Sequence, residues 1–203
     1  MIVKISAIVE GDGEVLALPI LLRRIARWKT PECAVQILTP IRVPRMSLIN
    51  KSADFNRHLQ LAAGKCGESG WILVLLDADD DCPKTLGEEL RVRARKIVPH
   101  RQVAVVLANR EYEAWFIAAA ASLDGHRSLR ISSKDAEADA EQPRNAKGWL
   151  ALRKPDRSGY HPVTDQPALS ARMDLQMAFD RSRSFRKFCS DWLEKTCILH
   201  PAD

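Results

Sequence analysis

Apolar residues follow two rhythms along this chain. Ile2–Val9, Trp71–Leu76 and Gln102–Leu107 are nearly unbroken apolar runs, and residues 34–39 (Ala-Val-Gln-Ile-Leu-Thr) form a shorter one. Such runs suit strands buried on both faces. Between them, apolar positions recur at helical spacing. Leu18, Leu21, Leu22, Ile25 and Trp28 form one stripe. Phe55, Leu59, Leu61 and Ala62 form a second, with Asp54 as its expected cap and Cys66 as its end. Leu86, Leu90 and Ile97 form a third, opened by Pro83 and running to about Val98. Pro19 is expected in the first turn of the first helix, where its missing N–H costs little. Residues 111–121 predict a fourth helix, carrying Trp115 and Phe116. The alternation of strands and helices predicts an α/β fold. Its centre is a mostly parallel four-stranded, Rossmann-like sheet with helices on both faces and right-handed crossovers.

The pattern changes after Leu123. Residues 124–165 are polar, with Gly125, Gly148, Gly159 and several prolines, and only Trp149–Leu152 is apolar. Loop with short helical pieces is expected there. Two helices follow, near residues 166–179 and 184–195. The chain thus reads as an α/β core over residues 1–123 and a loop-rich, helical C-terminal extension over 124–203 packed on that core. A length of 203 residues suits this arrangement. No apolar run approaches the roughly 18 residues of a membrane span. The first residues enter a strand pattern directly, so a cytoplasmic protein is expected. Five scattered cysteines without a C-x-x-C pair predict reduced, mostly buried thiols.

Charge sharpens this picture. The formal net charge is +5. Basic residues gather at Arg23–Lys29, Arg91–Lys96 and Arg181–Lys187, whereas acids gather in two turns that each follow a strand. The first turn is Glu10-Gly11-Asp12-Gly13-Glu14, and the second is Asp77-Ala78-Asp79-Asp80-Asp81. Ligands of open α/β sheets bind at the carboxyl ends of the strands, so both turns are expected at one edge. Clustered carboxylates repel unless a cation separates them. Asp77 and Asp79 share a face if the strand continues past Leu76, and their oxygens suit Mg²⁺ or Mn²⁺. Gly11 and Gly13 permit unusual backbone angles and close approach of a ligand. Helix capping accounts nearly as well for Glu14, Asp80 and Asp81. A third element, Asn109-Arg110-Glu111-Tyr112-Glu113, follows the fourth strand and reaches the same edge. There Arg110 is placed to pair with a carboxylate or a phosphate. Tyr112, Trp115 and Phe116 read as core residues.

Other chemistries find less support. His58, His100, His126, His161 and His200 show no metal-ligand spacing. There is no G-x-S-x-G elbow, and Leu16 stands where a dinucleotide fingerprint needs its third glycine.

Glu10-Gly11-x-x-Glu14, Asp77-x-Asp79 and Glu111-x-Glu113-x-Trp115, in that order after three strands, resemble the DUF4276 family over residues 1–125. Asp165-Gln166, Asp174 and Ser182-x-Ser184-Phe185 resemble its C-terminal part. That family is regarded as similar to the Toprim catalytic domain of topoisomerases, primases and OLD-type nucleases. The resemblance implies that Glu10 acts in acid/base work or metal binding and that Asp77 and Asp79 bind metal. Glu111 or Glu113 belongs to the narrower family. Relatives are often linked with ATPases in anti-phage systems, so the resemblance also implies a separate ATPase partner; the chain has no Walker-type loop.

The expected function is Mg²⁺- or Mn²⁺-dependent phosphodiester hydrolysis of nucleic acid, DNA or RNA. Glu10, Asp77, Asp79 and Glu113 are the candidate catalytic residues. Glu10, Glu14, Asp77, Asp79 and Glu111 are the candidate metal ligands. Arg42, Arg45, Arg110 and the Arg181–Lys187 cluster would guide the phosphate backbone. The alternative is a non-catalytic Toprim-like module that docks on or regulates an ATPase. A phosphotransferase or phosphatase acting on small nucleotides is a third, weaker option.

Overall fold

The structure is a computed structural model that describes residues 2–199; His200 and the rest of the C-terminus lie outside the described residues. Five strands, β1 (Val3–Val9), β2 (Val35–Ile37), β3 (Ile41–Arg42), β4 (Gly70–Asp77) and β5 (Gln102–Ala108), form one parallel sheet in the order β2-β1-β4-β5. The fifth strand, β3, was not expected from the sequence. It pairs with β1 at Ile8 and Val9, whereas β2 pairs at Val3–Ile5. Both therefore run along the same edge of β1. The break between them holds Pro40, which has no N–H to give to a ladder.

Among the described residues, ten α-helices, from α1 (Asp12–Lys29) and α2 (Arg45–Asn50) to α3 (Ser52–Cys66) and α4 (Pro83–Ile97), surround the sheet. They continue as α5 (Ala114–Ala118), α6 (Ser133–Ala136), α7 (Ala146–Ala151), α8 (Pro162–Ser170), α9 (Leu175–Arg181) and α10 (Arg183–Leu199). Alternation along the strands builds two cores. Val3, Ile5, Ala7 and Val9 face a cluster with Trp71, Leu73, Leu21 and Ile25. Ile8, Ile72, Val74 and Leu76 face Phe55, Leu59, Leu86 and Leu90. Thus α1 lies on one face and α3 and α4 on the other. That partition is what right-handed crossovers require when strand order reverses at β1. All eight residues of β4 are buried, as its unbroken apolar run predicted.

The C-terminal helices complete the first core. Phe185, Phe188 and Trp192 of α10 are fully buried. Trp192 meets Trp71 edge-on at 5.8 Å, and its Nε1 donates to Thr30 Oγ1 at 3.0 Å. Trp115 stacks on Phe188 at 5.4 Å and donates to Ser184 Oγ at 2.9 Å. Among the described residues, no helix is long and apolar enough to cross a membrane.

Several local expectations need correction. α1 begins at Asp12, so Pro19 sits inside the helix rather than in its first turn. Burial of Leu18, Leu21, Leu22 and Ile25 holds the helix across it. α3 starts two residues before Asp54, which lies in its first turn and is not the cap. The fourth helix is shorter than 111–121 and gives way to 3₁₀ turns after Ala118. The helix expected over 166–179 is two helices, α8 and α9, the second capped by Asp174 through Met177 N at 2.8 Å. Of the thiols, Cys33, Cys66 and Cys189 are buried and Cys82 and Cys197 are exposed.

Candidate functional site

Strand order reverses between β1 and β4, which opens a crevice at their carboxyl ends. Ile8 pairs with Val74, so Glu10 and Asp77 emerge side by side. A cavity of about 650 Å³ lies there, lined by Glu10–Glu14, Asp77, Asp79, Arg45 and Lys147 and rimmed by Met46 and Val163. Glu10, Glu14, Asp77 and Asp79, expected together from the sequence, thus share one cavity.

The second turn is not an extended continuation of β4. Asp79 has φ 51° and Arg110, after β5, has φ 67°. Each such left-handed residue costs on the order of 1 kcal/mol. The pair is held by two backbone-directed bonds: Asp79 N donates to Arg110 O at 2.9 Å, and Arg110 Nη1 to Asp79 O at 3.1 Å. Asp79 therefore reaches the cavity through a strained turn, not through strand periodicity. Arg45 clamps the same turn. It donates to the carbonyls of Asp77 and Ala78 and pairs with Asp79 at 3.4 Å and Asp81 at 2.5 Å. Asp81 serves this clamp and does not cap α4, whose N-cap is Cys82. Arg110 pairs with Asp80 at 2.6 Å, and Arg42 with Asp12 at 3.1 Å.

Gly11 and Gly13 are needed for room. Gly11 is extended at φ −115°, and neither glycine has positive φ. A Cβ on Gly11 would stand 2.3 Å from Glu14 Oε2, and one on Gly13 would stand 2.1 Å from Gln166 Oε1.

Beneath the cavity lies a buried polar layer. Asp77 Oδ1 accepts from Tyr112 N at 2.7 Å. Gln166, from α8, donates through Nε2 to both Glu14 Oε1 (3.0 Å) and Glu113 Oε1 (2.7 Å). Lys147, from α7, places Nζ 3.7 Å from Asp77, 3.3 Å from Glu111 and 3.7 Å from Glu113. Glu111 also accepts from the Lys147 backbone N–H at 3.0 Å, so it anchors this lysine. Of the expected residues, Glu113 is fully buried below the cavity and Glu111 lies at its side, on Lys147.

Burial is the largest influence on the acids. It holds Asp77 well above the ordinary aspartate value, reinforced by Glu10 and Glu113 and opposed by Lys147. Burial also raises Glu10, opposed by a side-chain hydrogen bond to Asp77 and reinforced by Glu14 and Asp79. Glu113 is raised by burial against Lys147, Gln166 and Tyr160. Burial alone would lower the Lys147 ammonium, yet Glu113, Asp77 and Glu111 hold it above its ordinary value. Among the described residues, Glu10 Oε2, Glu14 Oε2, Glu113 Oε2 and Gln166 Oε1 are buried without a hydrogen-bond partner. A buried acceptor left unmatched costs roughly 1–3 kcal/mol, so this cluster has capacity for protons or a cation. Among the described residues, no group of three or more Asp, Glu, His or Cys side chains is arranged to hold a metal ion as it stands.

Lys147 and Tyr160 were missed in the sequence. Lys147 follows Asn145, which caps α7 through Gly148 N at 2.7 Å. That Asn-x-x-Gly signal marks the helix, but nothing local points its lysine at Asp77. The basic cluster at Arg181–Lys187 is engaged away from the cavity. Arg181 donates to the Ala136 and Ala138 carbonyls, Arg186 to Phe179 and Asp180, and Lys187 pairs with Asp191.

A family described as a domain of unknown function, DUF4276, matches residues 9–193. The chain belongs to DUF4276. The matched span takes in both acidic turns, Lys147 and Gln166, so the DUF4276 domain includes the C-terminal extension as well as the sheet. No curated protein and no solved structure matches the chain.

Proposed function

We propose that this DUF4276 protein is a cytoplasmic, Mg²⁺- or Mn²⁺-dependent nuclease that hydrolyses phosphodiester bonds of DNA or RNA. The observation that carries the reading is the excess of acid at the sheet's switch point. Among the described residues, Glu10, Glu14, Asp77, Asp79, Glu111 and Glu113 lie against two cationic side chains, Lys147 and Arg45, and one oxygen each of Glu10, Glu14 and Glu113 accepts no hydrogen bond. Hard oxygen donors in this number suit a divalent cation. Glu10, Asp77 and Asp79 would hold it, with Glu14 nearest to join them. Bound there, such a cation supplies Lewis-acid polarisation of a phosphoryl oxygen.

The chain's own residues have distinct tasks in this reading. Glu10, raised by burial, is suited to hold or accept a proton near the attacking water. Tyr112 N–H fixes the Asp77 carboxylate, and Arg45 fixes the turn that presents Asp79. Lys147 and Gln166 orient Glu113 and Glu14 from below. The resemblance of Glu10, Asp77 and Asp79 to the metal-site residues of Toprim nucleases supports the same assignment, and relatives' links with ATPases in anti-phage systems support an ATPase partner.

The test is cleavage of labelled single- and double-stranded DNA and RNA by the purified chain, with Mg²⁺, Mn²⁺ or EDTA. EDTA-sensitive cleavage is expected, and Asp77→Ala should reduce it by on the order of 100-fold or more. Wild-type activity in Asp77→Ala overturns the reading.

One observation favours a second reading, a non-catalytic module that docks on an ATPase. Lys147 already compensates three of the carboxylates without any metal. This reading expects no Mn²⁺ binding in a spin-resonance titration and no cleavage even in the presence of the ATPase.

A further inference from the structure

We propose that the groove beside the cavity binds single-stranded nucleic acid and feeds it to the acidic site. The inference deepens the nuclease reading and rests on it for the nature of the substrate. The groove, about 880 Å³, is lined by Pro143, Trp149, Leu152, Pro155 and Arg157 among others.

Three observations point to this occupant. The first is continuity. α7 is a shared wall: Lys147 faces the acidic cavity, whereas Gly148, Trp149 and Ala151 line the groove. At the other end, Gly159 lines the groove, and Pro162 and Val163, three and four residues on, line the cavity. The groove and the acidic cavity therefore adjoin along α7 and along residues 159–163.

The second is apolar surface that the fold does not use. Leu152 is 84% exposed, the highest value among the large hydrophobic residues that reach solvent. With Pro143 and Pro155 it forms an apolar floor, bordered by Trp149, which packs on the core and carries the Arg153 guanidinium 3.5 Å over its ring. Unpaired nucleobases present apolar faces that such a floor can cover, whereas a duplex keeps those faces stacked inside.

The third is charge. Residues 143–161 carry five basic side chains, Arg144, Lys147, Arg153, Lys154 and Arg157, against one acid, Asp156. Arg153 is occupied by Asp135, and Lys154 by Asp165. Arg144 and Arg157 remain at the rim. The Arg144 side chain is 77% exposed, follows the groove-lining Pro143 in sequence and pairs with Asp80 at 3.4 Å. Arg157 is exposed and makes no ion pair among the described residues. An apolar floor between exposed guanidinium groups matches bases between phosphates.

The experiment is fluorescence anisotropy of a labelled oligo(dT) of roughly 12 nucleotides, and of a duplex of equal length, titrated with the full chain in EDTA. The single strand is expected to bind about ten-fold more tightly than the duplex. Leu152→Glu and Arg157→Glu should each weaken single-strand binding by about five-fold or more, with unchanged circular dichroism and thermal midpoint. Equal affinity for duplex and single strand, or wild-type affinity in both groove variants, overturns the proposal. So does a groove that takes only an apolar peptide and no oligonucleotide. Binding in EDTA does not depend on cleavage. A chain that binds oligo(dT) through the groove but never cleaves overturns the nuclease reading alone. One that cleaves a duplex regardless of Leu152→Glu overturns the groove alone.

Discussion

Asp165 has no solvent exposure, yet it is ionised in effect by its surroundings. Its carboxylate accepts from Lys154 Nζ at 2.8 Å, Arg127 Nε at 2.7 Å and His161 N at 2.9 Å. Burial alone would raise this carboxyl, but the His161 N–H, Lys154 and Arg127 outweigh it and hold it below the ordinary value. A depressed carboxylate lends stability above its unfolded pKa and loses it as pH falls through the folded one. Wild-type stability should therefore decline below about pH 4. Lys154→Met leaves Asp165 with Arg127 and one N–H, and should cost about 2 kcal/mol at neutral pH, less than the loss of a lone buried partner. That cost should shrink as acid neutralises Asp165. Urea midpoints measured from pH 7 down to pH 3 check this, and a deficit that stays constant with pH would refute it.

At the level of elements, the apolar rhythm was a sound guide wherever one element buries its own stripe. β4 and α1 could be read because burial on both faces, or along one helical stripe, leaves a mark in consecutive residues. Element ends were less legible. The local pattern puts Pro19 in a first helical turn, but α1 begins seven residues before it. An interior proline removes one backbone bond, here to the Val15 carbonyl, and bends the helix. Pro19→Ala should restore that bond and raise stability by about 1 kcal/mol, net of the proline's restraint on the unfolded chain. A higher urea midpoint at unchanged slope is the expected result. A lower midpoint would mean that packing against the sheet needs the bend. The turn after β4 shows the same limit: Asp79 and Arg110 adopt left-handed angles that no local pattern announced, because each is stabilised by the other's backbone across two strands.

At the level of the whole molecule, the C-terminal extension packs into the core of the sheet. The division at Leu123 is a change in composition, whereas the first core runs straight across it. Trp71 and Trp115 are covered by Phe185, Phe188 and Trp192, and Tyr112 donates to or accepts from Ser170 Oγ at 2.9 Å. A chain stopped at Leu123 should expose these aromatics, each worth roughly 3 kcal/mol or more when its packing is lost. It should show no cooperative urea transition by circular dichroism. A sharp transition would establish the sheet as independently stable. The sequence by itself determined the α/β class and the parallel strand order's raw material. It also placed acids at the strand ends, since strand burial and strand-end position are recorded in neighbouring residues. Only the tertiary structure decided which groups surround those acids. Lys147 reaches Asp77 from 70 residues away, and Gln166 spans Glu14 and Glu113, which lie 152 and 53 residues from it. Partners so distant meet through packing of the extension on the sheet, and packing leaves no periodic trace along the chain.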